Sequence, residues 1–195
     1  MEQVTRNGFR RWKHSGRLLS HPAVPVCLAV AFALGLPCSC LAAEEPTEYQ
    51  VKAAFLLNFT KFIEWPAAAF AASDSPIAIC VLGDDPFGSA LDQIVAGEVV
   101  NGRKVAAQRL KRAPPPKSCQ LLFVGGPEKE VSKILPGLGP GVLTIGEGET
   151  FVRAGGMVAF VMENRRVRFE INQTAAENAG IKLSSRLLNV AKSVE

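Results

Sequence analysis

The first periodic segment of the chain predicts an amphipathic helix. Apolar side chains recur at helical spacing over residues 51–63, and Thr47 and Gln50 precede them with the spacing of a capping box. Trp65-Pro66 predicts the end of this helix, because the residue before a proline disfavours helical dihedral angles. Lys52 falls within the apolar stripe, and we expect its long side chain to reach water past the neighbouring phenylalanines.

Four short apolar runs in the middle of the chain predict buried strands. They are residues 77–82, 105–110, 120–124 and 142–145. Two predicted helices lie among them, one that Asp85 caps and that stops near Gly97, and one over residues 128–138. Strands and helices that alternate at this spacing predict crossover connections and a mainly parallel sheet.

The last third of the chain has a different pattern. Residues 157–163 and 166–171 flank Asn164-Arg165, and two apolar runs around such a turn predict an antiparallel hairpin. Two short helices follow, over residues 174–179 and after a cap at Ser184 or Ser185. We therefore predict the α/β class: a mainly parallel sheet flanked by helices, with a C-terminal antiparallel hairpin and short helices.

The first 43 residues have the layout of a secretory signal peptide. Five basic side chains precede an apolar run over residues 24–36, and Leu41-Ala42-Ala43 precede two glutamates. The run is shorter than the roughly 20 apolar residues of a membrane anchor. A lipoprotein cut before Cys38 or Cys40 would place a proline or a serine before the cysteine, which fits poorly. We expect cleavage near Ala43 and export of a single domain, residues 44–195.

Removal of residues 1–43 changes the composition that bears on function. Of the 22 basic and 18 acidic side chains, five basic and one acidic lie before residue 44, so 17 of each remain. A balanced charge without a basic stripe argues against nucleic-acid binding. Both histidines, His14 and His21, also lie in this segment. Without imidazole the domain lacks the commonest general base and metal ligand, so we predict no enzyme, no metal and no cofactor.

Cys80 and Cys119 are the cysteines of the predicted domain. Two cysteines in an exported domain favour one disulfide bond, because the compartment is oxidising. Two buried thiols are the alternative. On the chain-entropy model, a bond that closes a loop of about 40 residues contributes about 4 kcal/mol.

Several short motifs, taken in their order, resemble the YfiR family. Together they cover nearly the whole predicted domain. They are YQVKAAF at 49–55, FIEWP at 62–66, ICVLGDDPFG at 79–88, VLTIGE at 142–147, GGM at 155–157, VRFEIN at 167–172 and SSRLL at 184–188.

The resemblance implies a periplasmic α/β domain that forms homodimers and performs no catalysis. It implies binding and inhibition of YfiN, an inner-membrane diguanylate cyclase, which lowers cyclic di-GMP and affects biofilm formation and motility. It also implies that an outer-membrane lipoprotein, YfiB, relieves the inhibition by sequestering the repressor. Family members carry a disulfide at the position of Cys80 and Cys119, whereas the second cysteine pair of some members is missing here.

The aromatic end of the first helix is the candidate partner-binding surface. Phe59, Phe62 and Trp65 would form it, because an exposed apolar patch on an exported protein marks an interface and tryptophan is frequent at binding hot spots. The alternative is that these side chains pack on the sheet.

Two other segments are candidates for ligand binding. Arg166, Arg168 and Arg186 would form a basic pocket for a phosphate or a small metabolite, unless they belong to a solvated face. Residues 83–88 follow a predicted strand, where open α/β sheets bind ligands, although an aspartate cap and a tight turn also explain them.

The sequence thus leaves three functions open. The first is a periplasmic repressor of a diguanylate cyclase, and the second is a periplasmic sensor that binds a small ligand. The remote third is a carboxylate-dependent hydrolase that uses Asp84, Asp85, Glu147 or Glu149.

Overall fold

The computed structural model describes residues 45–126 and 132–195. The predicted signal peptide, residues 1–43, lies outside these ranges, so its cleavage and the domain boundary stay predictions. The predicted helix over 128–138 is described from residue 132, where helical residues lead into a 3-10 turn at Leu135–Gly137. None of the helices in the two described ranges is long and apolar enough to cross a membrane.

Helices and short strands alternate along the described chain. The helices are α1 Glu48–Lys61, α2 Ser89–Val95, α3 Glu149–Arg153, α4 Gln173–Asn178 and α5 Ser185–Val190. The strands are β1 Ile63–Glu64, β2 Ile77–Leu82, β3 Val99–Val100, β4 Arg103–Leu110, β5 Leu121–Val124, β6 Leu143–Glu147, β7 Val158–Glu163, β8 Arg166–Ile171, β9 Lys182–Leu183 and β10 Ser193–Val194. A further 3-10 turn spans Ala67–Ala69.

Eight of these strands form one sheet in the order β10-β8-β7-β6-β5-β2-β4-β3. The strands β4, β2, β5, β6 and β7 run parallel, and β8 returns antiparallel to β7. Asn164 and Arg165, which join β7 to β8, both have positive φ, as a tight hairpin turn requires. The predicted α/β class, with its parallel sheet and C-terminal hairpin, is confirmed.

The sheet separates two apolar clusters. Helices α1, α2, α4 and α5 contribute to the larger cluster, and α3 with the segment around Leu135 packs against the smaller one. Strand β2 divides its side chains between the two, since Ile79 and Val81 belong to the larger cluster and Cys80 to the smaller. This alternation decides which functional side chains can meet.

Helix α1 begins as predicted but ends earlier. Thr47 and Gln50 form both hydrogen bonds of the capping box, 2.7 and 3.3 Å long. The helix stops at Lys61 rather than at Trp65, because Ile63 and Glu64 leave it to pair with β9 at the other end of the chain. A long-range strand pairing therefore decides this boundary, and the proline does not.

Helix α2 also differs from its prediction, because Asp85 does not cap it. The Asp85 carboxylate accepts hydrogen bonds from the backbone N–H groups of Phe87 and Gly88, at 2.9 and 3.2 Å. Gly88 then has a φ of 52°, and the helix starts only at Ser89. Asp85 thus closes a turn ahead of the helix.

Candidate functional site

The three predicted partner-binding aromatics do not share one surface. Phe59 is only 1% exposed, and its ring packs against those of Phe160 and Phe169, with centroids 6.0 and 5.0 Å away. A partner cannot reach Phe59 in this conformation, because its side chain packs on the sheet. Phe62 and Trp65 are half-buried and line two different concavities.

Trp65 is held by a buried polar residue that the sequence reasoning missed. Its indole N–H donates to the backbone carbonyl of Gln120 at 3.1 Å. The Gln120 side chain donates to the carbonyl of Ala69 at 2.8 Å and accepts from the N–H of Ala78 at 2.9 Å. A lone amide at the start of an apolar strand was the available signal, because a buried amide must find such partners.

A groove lies between α1 and α5, with a volume of about 420 Å³. We call it the α1/α5 groove. Its walls are Phe55, Asn58 and Phe59 from α1, Phe62 directly after α1, Arg186, Leu187 and Val190 from α5, and Phe169 from β8. It therefore joins one predicted partner contact, Phe62, to one predicted ligand contact, Arg186. Val190 at its rim is 58% exposed.

The three arginines of the predicted basic pocket are not brought together. Phe169 of β8 faces the groove, and side chains alternate along a strand, so Arg166 and Arg168 point to the opposite face of the sheet. Only Arg186 lines the groove. It has no ion pair, hydrogen bond or ring contact with any residue in the described ranges.

A buried ion-pair cluster surrounds Lys52 near the start of α1. Lys52 is 4% exposed, so it does not reach water as expected, and it pairs with both Glu48 and Glu147. Its ammonium nitrogen lies 4.5 Å from the centroid of the Tyr49 ring. Burial alone would lower the pKa of Lys52, but the hydrogen bonds to the two carboxylates outweigh burial and raise the pKa.

Tyr49 shares the electrostatics of this cluster. Burial raises the pKa of the Tyr49 phenol, and the negative charge of Glu147 raises it further. Lys52 and Tyr49 therefore both keep their protons at any ordinary pH. Neither of these two side chains is therefore a proton donor or acceptor poised near neutrality.

The loop after β2 is clamped rather than open. Arg109 donates to the carboxylates of Asp85 and Asp92 and to the carbonyl of Gly88, at 2.9, 2.8 and 2.7 Å. Burial alone would raise the pKa of Asp85, but hydrogen bonds from Arg109 and from the Phe87 N–H lower it. Asp85 is thus a fixed anion that organises a turn.

The switch point of the sheet, where its strand order reverses, lies between β2 and β5. Gly83 and Gly125 follow these two strands, and a Cβ on Gly83 would come within 2.6 Å of the Gly125 carbonyl oxygen. The two backbones touch there, in the place where other open sheets bind ligands. A turn that Asp85 closes and that lies against Gly125 therefore accounts for residues 83–88.

Three of the four carboxylates of the hydrolase hypothesis are paired with cations. Asp85 belongs to the Arg109 clamp, Glu147 pairs with Lys52, and Glu149 lies 3.3 Å from Lys192. Across residues 45–126 and 132–195, no three His, Cys, Asp or Glu side chains are grouped to hold a metal ion.

The disulfide bond between Cys80 and Cys119 is present. The two Cα atoms are 6.0 Å apart, and both residues are buried on the sheet face opposite α1. Cys80 lies in β2 and Cys119 shortly before the neighbouring strand β5, so the bond reinforces an existing strand pair. This cross-link is remote from the α1/α5 groove.

The described residues form an α/β domain with an apolar groove between α1 and α5. Residues 49–192 match the YfiR/HmsC-like family model, and the chain belongs to that family. Membership supports a regulatory role in cyclic di-GMP signalling, and domains of this family are periplasmic. It is a regulatory family that is not known for catalysis.

Other known proteins add little to this. A crystal structure of a conserved domain protein from Vibrio cholerae O1 biovar El Tor is 11% identical, with a TM-score of 0.49. The match covers 76% of this chain and spans 60% of that one. A likeness this distant carries no weight for function. No curated protein matches the chain.

Proposed function

We propose that this chain is a periplasmic repressor that binds and inhibits an inner-membrane diguanylate cyclase and so lowers cyclic di-GMP. Family membership over residues 49–192 supports the signalling pathway. The motif resemblance supports a YfiN-like cyclase as the partner and a YfiB-like lipoprotein as the factor that relieves repression. The same resemblance supports a homodimer.

The α1/α5 groove carries the proposal that repression works by protein contact. It presents half-buried Phe62 and exposed Val190 to solvent beside the core aromatics. Burial of an apolar side chain against a partner contributes about 25 cal/mol for each Å² removed from water. Aromatic side chains in a concave apolar setting are typical binding hot spots. Of the three aromatic contacts predicted from the sequence, Phe62 is therefore the one that we propose as a partner contact in the groove.

The first test of this function is genetic. Deletion of the gene should raise cellular cyclic di-GMP, and the wild-type gene supplied in trans should lower it again. A pull-down from membranes with the wild-type protein should recover a diguanylate cyclase. Unchanged cyclic di-GMP after deletion would contradict the proposal.

A matched pair of variants then tests the groove as the contact surface. Val190→Asp places a charge on the groove rim, and a buried unpaired charge opposes association. Val99→Asp is the control, because Val99 is 57% exposed and lies on β3, outside the groove. We expect Val190→Asp to recover at least tenfold less cyclase than Val99→Asp. Equal recovery by the two variants would locate the contact elsewhere.

A second candidate function is a periplasmic sensor of a small molecule. The groove volume of about 420 Å³ favours it, because small-molecule sites commonly enclose about 300–1,000 Å³. A ligand that binds only the native state raises the melting temperature. A thermal-shift screen of metabolites with the purified protein therefore tests this function without any partner.

A further inference from the structure

We propose that the α1/α5 groove binds a molecule with an apolar body and a single anionic group, such as a medium-chain carboxylate. The apolar body would lie against Phe55, Phe62 and Val190, and the anion would meet the Arg186 guanidinium. This inference rests on the second candidate function, since it names the chemical class that the sensor would take.

The walls of the groove require a mostly apolar ligand. Six of the eight lining residues are apolar, and the remaining two are Asn58 and Arg186. The rings of Phe55 and Phe169 meet edge to face, 5.5 Å apart, which fixes one wall. A strongly hydrated ligand would lose water there without gaining hydrogen bonds in exchange.

Arg186 requires the single polar group to be anionic. It is the one charged residue among those that line the groove, and no described residue compensates it. Because Arg186 lies on the surface, its charge is stable without a partner, but a carboxylate beside it would form a charge-assisted bond. An ammonium group in the same position would be repelled.

Three other concavities that described residues line do not share this combination. Beside Trp65, Glu64 and Arg103 are present together, so the charges of that lining balance. Beside Lys52, the ammonium is already paired with Glu48 and Glu147. A fourth concavity, next to Leu135, has no charged lining residue. The α1/α5 groove is thus the one of these four that offers apolar walls and an uncompensated cation.

Three straight-chain compounds of equal length test the inference. Decanoate, decanol and decylamine, each below its aggregation limit, would be titrated into the purified protein by calorimetry. We expect decanoate to bind about tenfold more tightly than decanol, the order of effect of one charge-assisted hydrogen bond. Decylamine should bind most weakly. Equal affinity for decanoate and decanol would overturn the proposal.

Variants assign the preference to the groove. Arg186→Gln should reduce decanoate affinity to that of decanol, whereas Arg186→Lys keeps the charge and should retain most of the preference. Val190→Asp should weaken the binding of decanoate and decanol, and Val99→Asp should weaken neither. Arg186 is exposed, so all variants should keep the wild-type circular dichroism spectrum. An unchanged preference in Arg186→Gln would place binding elsewhere and overturn the proposal.

The failure of this inference can be told apart from failure of the repressor function. The titrations use the purified protein without a cyclase, so they report ligand class alone. Unchanged cyclic di-GMP on gene deletion would end the repressor proposal while a carboxylate preference survived. Conversely, an absent preference would leave repression by protein contact intact.

Discussion

The two halves of helix α1 use charge in opposite ways. In the first half, Lys52 is buried and two carboxylates compensate it. In the second half, Phe55 and Phe59 line a groove whose one cation, Arg186, has no partner among the described residues. One helix therefore contributes both to an ion-pair cluster around a buried lysine and to a groove that holds an uncompensated cation.

This difference teaches how to separate structural charge from functional charge. A compensated buried charge has its electrostatic partners inside the fold, so its removal should cost stability. An uncompensated exposed charge contributes little to stability, and its removal should change binding only. The disulfide bond lies on the sheet face opposite α1 and serves as the reference for both regions. The expected effects run from the largest to the smallest.

The largest effect should come from the disulfide. Cys80→Ala with Cys119→Ala should lower the free energy of unfolding by about 4 kcal/mol, because the unfolded chain regains the entropy of a 39-residue loop. Urea unfolding measures this loss. The bond lies on the sheet face opposite α1, so folded protein should keep its decanoate preference. A lost preference in folded protein would show that stability and groove binding are not separate.

The next effect should come from Lys52. Lys52→Ala leaves Glu48 and Glu147 without their cation and should lower the free energy of unfolding by about 2–3 kcal/mol. This lies below the figure for a fully buried pair, because both carboxylates are partly exposed. Lys52→Met also removes the cation but fills the same space, so it should lose nearly as much in urea unfolding. A loss less than half that of Lys52→Ala would mean that packing, not charge, carries the effect.

The pH dependence should show the same cluster. The folded pKa of Lys52 is raised above its ordinary value of 10.5, so its contribution is full below that pH and is lost above it. The folded pKa of Tyr49 is raised above 10.0, and the unfolded state then loses its proton first, with the same sign. We expect stability to fall more steeply above about pH 10.5 in the wild type than in Lys52→Met. Parallel urea-unfolding series across that range measure the difference, and identical slopes would contradict this.

The smallest effect on stability should come from the groove cation. Arg186→Gln should change the free energy of unfolding by less than about 0.5 kcal/mol, because the side chain is exposed and unpaired. Urea unfolding of Arg186→Gln and Lys52→Ala under the same conditions compares their free energies of unfolding. A loss as large as that of Lys52→Ala would mean that Arg186 is part of the fold.

The sequence predicted those elements whose boundaries are local. The continuous apolar run at 77–82 and the alternating apolar and charged run at 166–171 became strands with those bounds, because the flanking turn residues end them. Helix α3 was missed, since its five residues show no periodicity. Phe151 of α3 packs its ring directly over Gly146 and Gly156, where any Cβ would collide with it. Such a fit depends on tertiary packing and leaves no periodic signal.

The sequence identified individual residues of the candidate site but not that they lie in one groove. Phe62 and Arg186 were both named, yet nothing local shows that a helix near each end of the domain lines one groove. Likewise, Lys52 has its partner Glu147 95 residues away, and only the fold pairs them. Arg166, Arg168 and Arg186 were predicted to form one pocket, but strand alternation directs the first two away from the groove that Arg186 lines.

The most direct test is cyclic di-GMP in cells that lack the gene and carry either Lys52→Met or Val190→Asp at matched protein levels. Lys52→Met is the less stable protein, but its groove is intact, so it should lower cyclic di-GMP as the wild type does. Val190→Asp should be as stable as the wild type yet leave cyclic di-GMP high. Full repression by Val190→Asp would contradict the claim that this protein represses through contact at the α1/α5 groove.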